Sequence, residues 1–379
     1  MEYRELENLG INTSLLGFGC MRFPELSNGK INEKEAEKML NKAIEEGVNY
    51  FDTAYPYHDG DSELLLGKVL KKYNRDTFYL ATKSPIWEIK KIEDVERIFQ
   101  EQLRSLQTDY IDFYLLHGLD NKNWNKVKDL GIIKYFEGLK EKGIIKFFGF
   151  SFHDEYKIFK EILNYRRWDF CQIQLNYMDI NFQAGMKGYK LAEKLDIPLV
   201  IMEPIKGGAL AKVPKDVKRV LNQLDNRCST ASWALRWVAT LPNVKVVLSG
   251  MSKYGQLLDN LRTFKNFKPL SKKEEKALVK TREAFKKYLK NDCTGCGYCM
   301  PCKYGVDIPK CFRIWNDLGR YSNLKQLQYD YWLKFEGKRG DQCKECGECE
   351  DKCPQHISIR KDLKLAAEDL EKIRPRKIK

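Results

Sequence analysis

The sequence predicts an α/β fold, in which a closed (β/α)₈ TIM barrel is followed by a small, mainly helical domain rich in cysteine. Eight short apolar runs alternate with helical patterns up to Asn260, where the alternation stops. Beyond that point, eight of the 12 cysteines fall in two tight runs near the carboxyl terminus. Because 379 residues exceed one average domain, the chain has room for both parts.

Eight apolar runs are predicted to form the strands of the barrel. They are Leu15–Cys20, Asn49–Ala54, Thr77–Lys83, Asp109–His117, Ile145–Ser151, Phe170–Leu175, Pro198–Pro204 and Val244–Gly250. Runs that are apolar almost throughout are typical of parallel strands, which are buried on both faces. Eight β–α repeats over about 250 residues fit a closed barrel better than an open doubly wound sheet.

The segments between the strands predict helices, and the segment before the first strand predicts a hairpin. Residues 32–47 show the helical pattern, with one apolar face formed by Ala36, Met39, Leu40, Ala43 and Ile44. Residues 3–14 are mostly polar and have the pattern of two short strands joined by a turn. We expect this hairpin to close one end of the barrel.

The domain boundaries follow from these patterns. We expect a barrel, a helical connector and a cysteine-rich domain, over residues 1–268, 269–290 and 291–379. Lys272–Lys290 has the composition of a charged helix within the connector. An aromatic-rich, helical segment around Cys311–Phe335 separates the two cysteine runs, and a last helix is expected over Lys361–Arg374.

Composition and charge argue against several classes of function. The net charge is +14, but the basic residues are scattered among acidic ones, which favours a solvated surface over a nucleic-acid-binding face. The first residues have neither a basic nor an apolar run, so we expect no signal peptide. No apolar stretch approaches the roughly 18 residues of a membrane span, so we expect a cytoplasmic protein. Clustered cysteines there indicate metal or redox chemistry rather than disulfides.

Four ionisable residues fall where predicted strands end. Asp52 ends the second strand, Tyr57 lies in the loop after it, Lys83 ends the third strand and His117 ends the fourth. In such barrels catalytic groups lie at the carboxyl ends of the strands, so all four side chains are predicted to face one mouth. Taken singly, each residue is as readily structural, as a cap, a surface ion pair or a satisfied core histidine. The four together favour a catalytic site.

The sequence around these residues resembles the aldo-keto reductase family. The resemblance rests on the motifs FDTAYPYHDGDSELLLG, YLATKS and DFYLLHGLD, followed in the same order by GFSFH, QIQLNY, EPIKGGAL and SGMSKYGQLLDNL. It extends over roughly Met1 to Lys268. It implies reduction of a small-molecule carbonyl substrate, an aldehyde or a ketone, by NAD(P)H. The implied catalytic tetrad is Asp52, Tyr57, Lys83 and His117.

Elementary chemistry agrees with these roles. Carbonyl reduction needs a hydride on carbon and a proton on oxygen, and Tyr57 can supply the proton. A free phenol has a pKa of about 10, and a neighbouring Lys83 cation stabilises the phenolate and lowers that pKa. Asp52 would keep Lys83 charged and oriented. His117 can donate a hydrogen bond to the carbonyl oxygen, while the nicotinamide carries the hydride.

The resemblance also implies residues that bind the nucleotide. Ser151 and Gln172 match the positions that hold the nicotinamide carboxamide, and Gly207 lies in the matching EPIKGGAL motif. After the eighth strand, the segment that grips the adenosine part is matched by Gly250, Asp259 and Asn260. The sequence has no G-x-G-x-x-G motif, in keeping with a family that does not use a Rossmann unit.

Three features depart from the family pattern. Phe152 replaces an asparagine, and Met202 replaces an aromatic residue that often stacks on the nicotinamide, although a thioether can cover a ring face. The usual cationic contacts to the 2′-phosphate fall on Gly250 and Gln256, with Lys253 available as a substitute. The cofactor is therefore expected to be NADP(H) or NAD(H), and only the habit of the family favours NADP(H).

The cysteine runs have the spacing of iron–sulfur ligands. The second run has the bacterial ferredoxin spacing C-x₂-C-x₂-C-x₃-C-P for a [4Fe–4S] cluster, at Cys343, Cys346, Cys349 and Cys353. The first run is one residue shorter at its last gap, at Cys293, Cys296, Cys299 and Cys302. We expect one or two clusters in a helical, ferredoxin-like domain.

Two clusters would share the runs between them, because the fourth cysteine of a ferredoxin run binds the other cluster. One expected set is Cys293, Cys296, Cys299 and Cys353. The other is Cys302, Cys343, Cys346 and Cys349. The alternative is a structural zinc site, since C-x₂-C pairs also bind Zn²⁺. Three or four cysteines in succession at this spacing are unusual for zinc.

The remaining cysteines and histidines match no motif. Cys20, Cys171 and Cys228 are predicted to be buried core thiols. His58 follows the tetrad tyrosine and is close enough in sequence to reach a substrate. His356 lies just past the last cysteine and is expected to form hydrogen bonds near a cluster.

The sequence leaves three functions open. The first is NAD(P)H-dependent reduction of an aldehyde or ketone with Tyr57 as general acid, coupled to or regulated by the iron–sulfur domain. The second is electron transfer between NAD(P)H and a ferredoxin-type partner. The third is a redox-sensing binding protein, against which the complete tetrad argues. Hydride transfer moves two electrons whereas a cluster normally moves one, and no flavin motif is present to split the pair.

Overall fold

A computed structural model describes residues 1–375 of the protein apart from 226, 294, 296, 322 and 354. The contacts divide the chain into two compact units. The first comprises Met1–Pro204 and Ser232–Ser271, and the second comprises Ile205–Ala231 and the residues from Lys272 onward. The domain boundaries at residues 268 and 290 remain a prediction.

The chain begins with an antiparallel hairpin of β1 (Tyr3–Leu6) and β2 (Ile11–Ser14). Leu6 is buried in one apolar cluster with Tyr50, Phe113 and Phe170. Tyr50 and Phe170 begin their strands, so the hairpin covers the amino-terminal end of the barrel, as the sequence predicts. The carboxyl ends of the strands are thereby left to carry the site.

Eight parallel strands form the closed barrel that the sequence predicts. They are β3 (Leu16–Gly19), β4 (Tyr50–Asp52), β5 (Tyr79–Ser84), β6 (Ile111–Leu119), β7 (Ile145–Phe152), β8 (Phe170–Gln174), β9 (Leu199–Met202) and β10 (Val244–Gly250). Each strand pairs with its neighbours in chain order, and β10 closes the barrel by pairing with both β3 and β9. All four residues of β3 are buried, as expected for a strand covered on both faces.

Helices alternate with the strands along the barrel. They are α1 (Glu33–Glu45), α2 (Asp61–Leu70), α3 (Ile92–Leu106), α4 (Asn121–Asp129), α5 (Ile132–Glu141), α6 (Tyr156–Tyr165), α7 (Gly185–Lys194), α8 (Lys215–Asn222), α9 (Thr230–Ala239) and α10 (Tyr254–Lys265). Asn32 caps α1 by accepting a hydrogen bond from the Glu35 amide. Gly67 lets α2 approach α3 closely, because a Cβ there would lie 2.4 Å from the Ser105 carbonyl oxygen.

The second unit is mainly helical. After α11 (Lys272–Phe285) it contains α12 (Ile308–Arg320), α13 (Leu324–Gln328), a π-helical turn (Tyr329–Leu333) and α14 (Ile359–Glu371). The charged helix was expected to reach Lys290 but ends at Phe285, because the backbone then tightens into a 3₁₀ turn at Lys286–Tyr288. In this turn the Tyr288 hydroxyl donates a hydrogen bond to Asp216. The apolar core of the second unit includes Phe312, Trp315, Tyr331 and Leu363. Across the described residues, no helix combines the length and apolarity needed to span a membrane.

Candidate active site and cysteine centre

The four predicted tetrad residues lie at the carboxyl ends of neighbouring strands. Asp52 is the last residue of β4, Lys83 is the next-to-last residue of β5, and His117 lies near the end of β6. Tyr57 begins a 3₁₀ turn just after β4. Parallel pairing of β4 with β5 and of β5 with β6 brings these ends together at one mouth.

Lys83 is the centre of this group. Its buried ammonium donates to Asp52 Oδ1 at 2.6 Å, to the Thr53 carbonyl oxygen at 2.6 Å and to Tyr57 Oη at 3.4 Å. An ammonium has three protons, so each is satisfied by one oxygen. Lys83 is therefore held between a carboxylate that orients it and a phenol on which it can act.

The environment shifts the pKa values of both Lys83 and Tyr57. Burial alone would lower the pKa of Lys83, but Asp52 and Tyr57 together raise it, so the side chain stays charged. Burial raises the pKa of Tyr57, and the Lys83 ammonium opposes that rise. Lys83 therefore acts to lower the pKa of Tyr57, as predicted, but the effect of burial is larger and the net pKa is raised.

His117 completes the group with a neutral ring. Burial, the Lys83 cation and His153 hold the pKa of His117 well below its usual range. Its ring lies 5.8 Å from the Tyr57 ring, centroid to centroid. The buried Nδ1 atom has no hydrogen-bond partner within the part of the chain that the structure describes. An orphaned ring nitrogen beside the phenol fits a site for a ligand oxygen.

An aromatic side chain that the sequence did not single out borders this group. Trp87 lies in the loop after β5, and its ring centroid is 4.8 Å from that of His117. The Trp87 side chain is 45 % exposed. The sequence signal that could have identified Trp87 is its position four residues after Lys83, in the loop that follows a strand end.

The two residues predicted to hold the carboxamide are neighbours in the barrel. Ser151 and Gln172 are register partners on β7 and β8, and both are buried. Gln172 Nε2 donates to Asp52 Oδ2 at 3.0 Å, which leaves Asp52 bonded through both carboxylate oxygens. Ser151 Oγ accepts from the Gly118 amide at 2.8 Å, next to His117. Their contact with a nicotinamide remains a prediction.

The predicted adenosine-binding residues surround the carboxyl end of β10. Gly250 is the last residue of β10, and Asn260 on α10 donates to Ser249 Oγ at 2.8 Å. Asp259 lies beside Asn260 and is half-buried. Asn260 therefore fastens α10 to the strand end, and direct contact of these residues with the nucleotide remains a prediction.

A further cation lies near Gly250, besides the predicted Lys253. Gln256 Oε1 accepts from the amides of Ser252 and Lys253 at 2.8 and 3.1 Å, so this side chain caps α10. Arg22, which sequence reasoning missed, packs over Gly250, since a Cβ at Gly250 would lie 2.8 Å from Arg22 Cγ. Arg22 therefore joins Lys253 as a cation beside the segment predicted to bind the adenosine.

Gly207 lies outside the barrel unit, in the part of the second unit formed by residues 205–231. Its backbone has a φ of 59°, in the left-handed region that glycine adopts readily. Its carbonyl oxygen accepts a hydrogen bond from Asn323 Nδ2 at 2.6 Å. The assignment of Gly207 to nucleotide binding remains a prediction.

A buried polar network contacts the backbone of Lys83 and was not predicted from the sequence. Glu63 Oε1 accepts from Thr82 Oγ1 at 2.5 Å and from Gln102 Nε2 at 2.8 Å. Gln102 also donates to the Lys83 carbonyl oxygen at 3.1 Å and accepts from the Tyr114 hydroxyl at 2.6 Å. Burial raises the pKa of Glu63 to about 7, while the hydrogen bonds and the Lys83 cation oppose the rise.

Glu63 is expected to make folding stability depend on pH. Its pKa is raised in the folded protein above the unfolded value of about 4.3, so its stabilising effect is complete below that value and is lost as the pH rises through 7. Between pH 4 and pH 8, wild type should lose about 3 kcal/mol of unfolding free energy relative to Glu63→Gln. Urea titrations at several pH values measure this difference. Glu93→Gln, at an exposed carboxylate, is the control, and parallel pH profiles for wild type and Glu63→Gln would contradict the prediction.

The cysteines of the two runs line two adjacent cavities. Cys299, Cys302, Cys343, Cys346 and Cys349 line one cavity. Cys293, Cys299 and Cys353 line the other, together with Ile308 and Phe312. Cys296, the remaining predicted ligand, lies outside the described residues. Cys299 lines both cavities, and the division of the cysteines between two clusters remains a prediction.

The donor set suits an iron–sulfur cluster. Among the described residues, no three Cys, His, Asp or Glu side chains converge on a point where they could hold a single metal ion. A four-iron cube binds its cysteines at separate corners, which suits cysteines spread along the lining of a cavity. Six of the cysteines pack against the apolar core of the second unit.

The structure also describes the three other cysteines and the two histidines that the sequence singled out. Cys20 and Cys171 are fully buried, as predicted, and burial raises the pKa of both thiols. The prediction was wrong for Cys228, which is half-buried because it lies in a loop after α8 rather than in an element of the core. His58 Nδ1 lies 3.7 Å from Glu25, and the His356 amide donates to the Cys353 carbonyl oxygen.

Two families match the sequence. The Aldo/keto reductase family matches residues 15–283, which is more than half of the chain. The 4Fe-4S dicluster domain matches residues 292–357. The first match contains the barrel and its strand-end residues, and the second contains all eight cysteines of the two runs.

Individual proteins resemble the barrel. The oxidoreductase YqkF of Bacillus subtilis is 27 % identical over 311 residues, covering 73 % of this chain and 95 % of that protein. The NADH-specific methylglyoxal reductase of Escherichia coli is 25 % identical over 304 residues, covering 68 % and 89 %. Among solved structures, the holo form of aldo-keto reductase AKR11C1 from Bacillus halodurans has a TM-score of 0.63 and 27 % identity, covering 74 % of this chain and 96 % of that chain.

Proposed function

From the premise that this chain belongs to the Aldo/keto reductase family, we propose that it reduces a small aldehyde or ketone to an alcohol, with Tyr57 as the general acid. The main observation behind the proposal is that the Lys83 ammonium donates hydrogen bonds to both Asp52 and Tyr57. A phenol beside a buried, oriented cation is suited to give up its proton to an oxygen that becomes negative.

Each chain residue has a distinct task in this proposal. Bound NAD(P)H would supply the hydride to the carbonyl carbon and leave as NAD(P)⁺. Tyr57 Oη donates its proton to the carbonyl oxygen, and Lys83 stabilises the phenolate that remains until a proton returns from solvent. Asp52 keeps Lys83 in place, and the neutral His117 donates a ring N–H to the same oxygen.

The residues at the mouth favour a small substrate. The Trp87 ring next to His117 provides an apolar face beside the polar oxygen site. The likeness to a methylglyoxal reductase supports a short aldehyde as the first probe. We expect the full chain to oxidise NADPH or NADH when methylglyoxal or benzaldehyde is added, followed at the absorbance of the reduced nucleotide. No oxidation with either nucleotide and either aldehyde would contradict the proposal.

We further propose that the second unit binds two [4Fe–4S] clusters through the crossed sets of cysteines. The two cavities and the match to a dicluster domain support this number. Bound clusters would carry single electrons. Cys302, Cys343, Cys346 and Cys349 would hold one cluster, and Cys293, Cys299 and Cys353, with Cys296, the other.

Paired substitutions are expected to reveal the crossing. Wild type purified anaerobically should contain about eight irons per chain, and Cys302→Ala about four. Adding Cys343→Ala to Cys302→Ala should remove no further iron, because both cysteines hold the same cluster. Adding Cys293→Ala instead should remove the rest. The control is Cys311→Ala, at a buried thiol outside both runs, and the opposite pattern in the double variants would show that each run holds its own cluster.

A second candidate function is electron exchange with an acidic, ferredoxin-type partner. The lining of the cavity of Cys302 and Cys343 contains four cations, Lys303, Lys344, Lys352 and Arg360, and one carboxylate, Glu348. Lys303 pairs with Glu348 and Arg360 pairs with Glu350, so the excess of positive charge is modest. This excess suits a partner with a negative face. Anaerobic addition of NADPH to the cluster-loaded protein should bleach the visible cluster absorption if this function holds. Unchanged absorption would leave carbonyl reduction as the function.

A further inference from the structure

A segment between two barrel elements belongs to the cysteine-bearing unit. Residues 205–231 follow β9 directly through Pro204, and their last two residues begin α9. Their contacts nevertheless group them with the residues from Lys272 onward. The segment includes Gly207, which the resemblance to the family implicates in nucleotide binding. Its anchorage is therefore relevant to the proposed reaction.

The segment opens with a strained turn. Lys206 has a φ of 50°, although it is not a glycine, and Gly207 and Gly208 follow with φ values of 59° and 93°. A non-glycine residue in the left-handed region persists only where its surroundings hold it. The contacts of Lys206 and Gly207 therefore decide whether this turn keeps its shape.

Two side chains of the second unit hold the turn. Asp317 Oδ2 lies 3.5 Å from Lys206 Nζ, and both side chains are almost buried, with exposures of 11 % and 12 %. The Lys206 ammonium also lies 5.7 Å from the centre of the Tyr321 ring. Asn323 Nδ2 donates to the Gly207 carbonyl oxygen at 2.6 Å. One contact holds a side chain of the turn and the other holds its backbone.

The helix that provides Asp317 is itself firmly placed. Asn316 Oδ1 accepts from the amides of Lys290 and Asn291 at 2.7 and 3.1 Å, and Asn291 Oδ1 accepts from the Cys293 amide at 3.3 Å. At the other end of α12, Ile308 and Phe312 line the cavity of Cys293. Helix α12 therefore both contacts the turn, through Asp317, and lines the cavity of Cys293, through Ile308 and Phe312.

We propose that Asp317 and Asn323 are positioning residues for nucleotide binding, acting through Lys206 and Gly207. The inference rests on the proposed function, because it assigns a role to the second unit in the same reaction. It gives that unit a task that needs no electron to pass through a cluster. Removing either contact lets the strained turn relax, so that the nucleotide must restore its shape on binding and binds less tightly.

The test measures nucleotide affinity and local order in the full, cluster-loaded chain. NADPH and NADH are titrated against wild type, Asn323→Ala and Asp317→Asn, with tryptophan fluorescence as the signal. Asn323→Ala should raise the Kd of the better-bound nucleotide about three- to tenfold, the loss expected for one hydrogen bond. Hydrogen exchange of peptides covering residues 205–212 should become faster. The kcat at saturating nucleotide should stay within about twofold of wild type, while KM for the nucleotide rises.

A matched control separates this role from a general loss of structure. Gln328, on α13, donates to the Ile373 carbonyl oxygen at 2.7 Å and belongs to the same unit. Gln328→Ala should leave both Kd and exchange at residues 205–212 unchanged. Normal nucleotide binding by wild type with an unchanged Kd in Asn323→Ala and Asp317→Asn would overturn this inference alone. Failure of wild type to bind either nucleotide would overturn it together with the proposed function.

Discussion

Replacing Tyr57 with phenylalanine is expected to lower kcat for aldehyde reduction by about 10²- to 10⁴-fold, the usual contribution of a positioned general acid. The ring remains, so its packing against His117 is kept, and only the hydroxyl that Lys83 contacts is lost. The Kd for the nucleotide should stay near that of wild type. The measurement is steady-state turnover at saturating nucleotide, together with a nucleotide titration.

A neighbouring tyrosine provides the control for this substitution. The Tyr55 hydroxyl donates to Glu101 Oε2 at 2.8 Å, away from Lys83. Tyr55→Phe should therefore keep kcat within a few-fold of wild type. Unchanged turnover in Tyr57→Phe would show that another group delivers the proton and that the tetrad assignment is wrong.

Replacing Lys83 with methionine is expected to affect both stability and catalysis. The substitution leaves the Asp52 carboxylate buried without its cation, which typically costs about 3–5 kcal/mol. It also removes the charge that stabilises the Tyr57 phenolate, so turnover should fall towards that of Tyr57→Phe, which is the limit because the acid itself remains. Denaturant titration and steady-state turnover measure the two effects.

A second substitution separates the two consequences of losing Lys83. Adding Asp52→Asn to Lys83→Met removes the unpaired charge, so most of the lost stability should return. Catalysis should not return, because no cation then faces Tyr57. Recovery of turnover in the double variant would show that Lys83 acts only by neutralising Asp52.

The barrel could be predicted because its signals are local. Each parallel strand is a short apolar run, and every predicted run overlaps an observed strand, as in Val244–Gly250. The meeting of Asp52, Tyr57, Lys83 and His117 could be predicted for the same reason, since residues at consecutive strand ends must share one mouth. The cysteine spacing predicted that both runs lie together, whereas the division of the ligands between clusters stays a prediction.

The remaining features depend on contacts between distant parts of the chain. Glu63 and Gln102 are 39 residues apart and lie on different helices, so no local pattern reveals their bond behind Lys83. The hydrogen bond from Asn323 to Gly207 joins residues that are 116 positions apart. Residues 205–231 were therefore expected in the barrel, whereas their contacts group them with the second unit.

The most direct test of the central claim follows a hydrogen atom. The cluster-loaded protein is given benzaldehyde and NADPH or NADH carrying two deuterium atoms at C4 of the nicotinamide, and the benzyl alcohol is analysed by mass spectrometry. Direct hydride transfer at the Tyr57 site predicts one deuterium on the alcohol carbon of the product in each turnover. An alcohol formed without deuterium would mean that its hydrogen came from solvent and that electrons reached the substrate by another route. That result would contradict the assignment of carbonyl reduction to hydride transfer at this barrel.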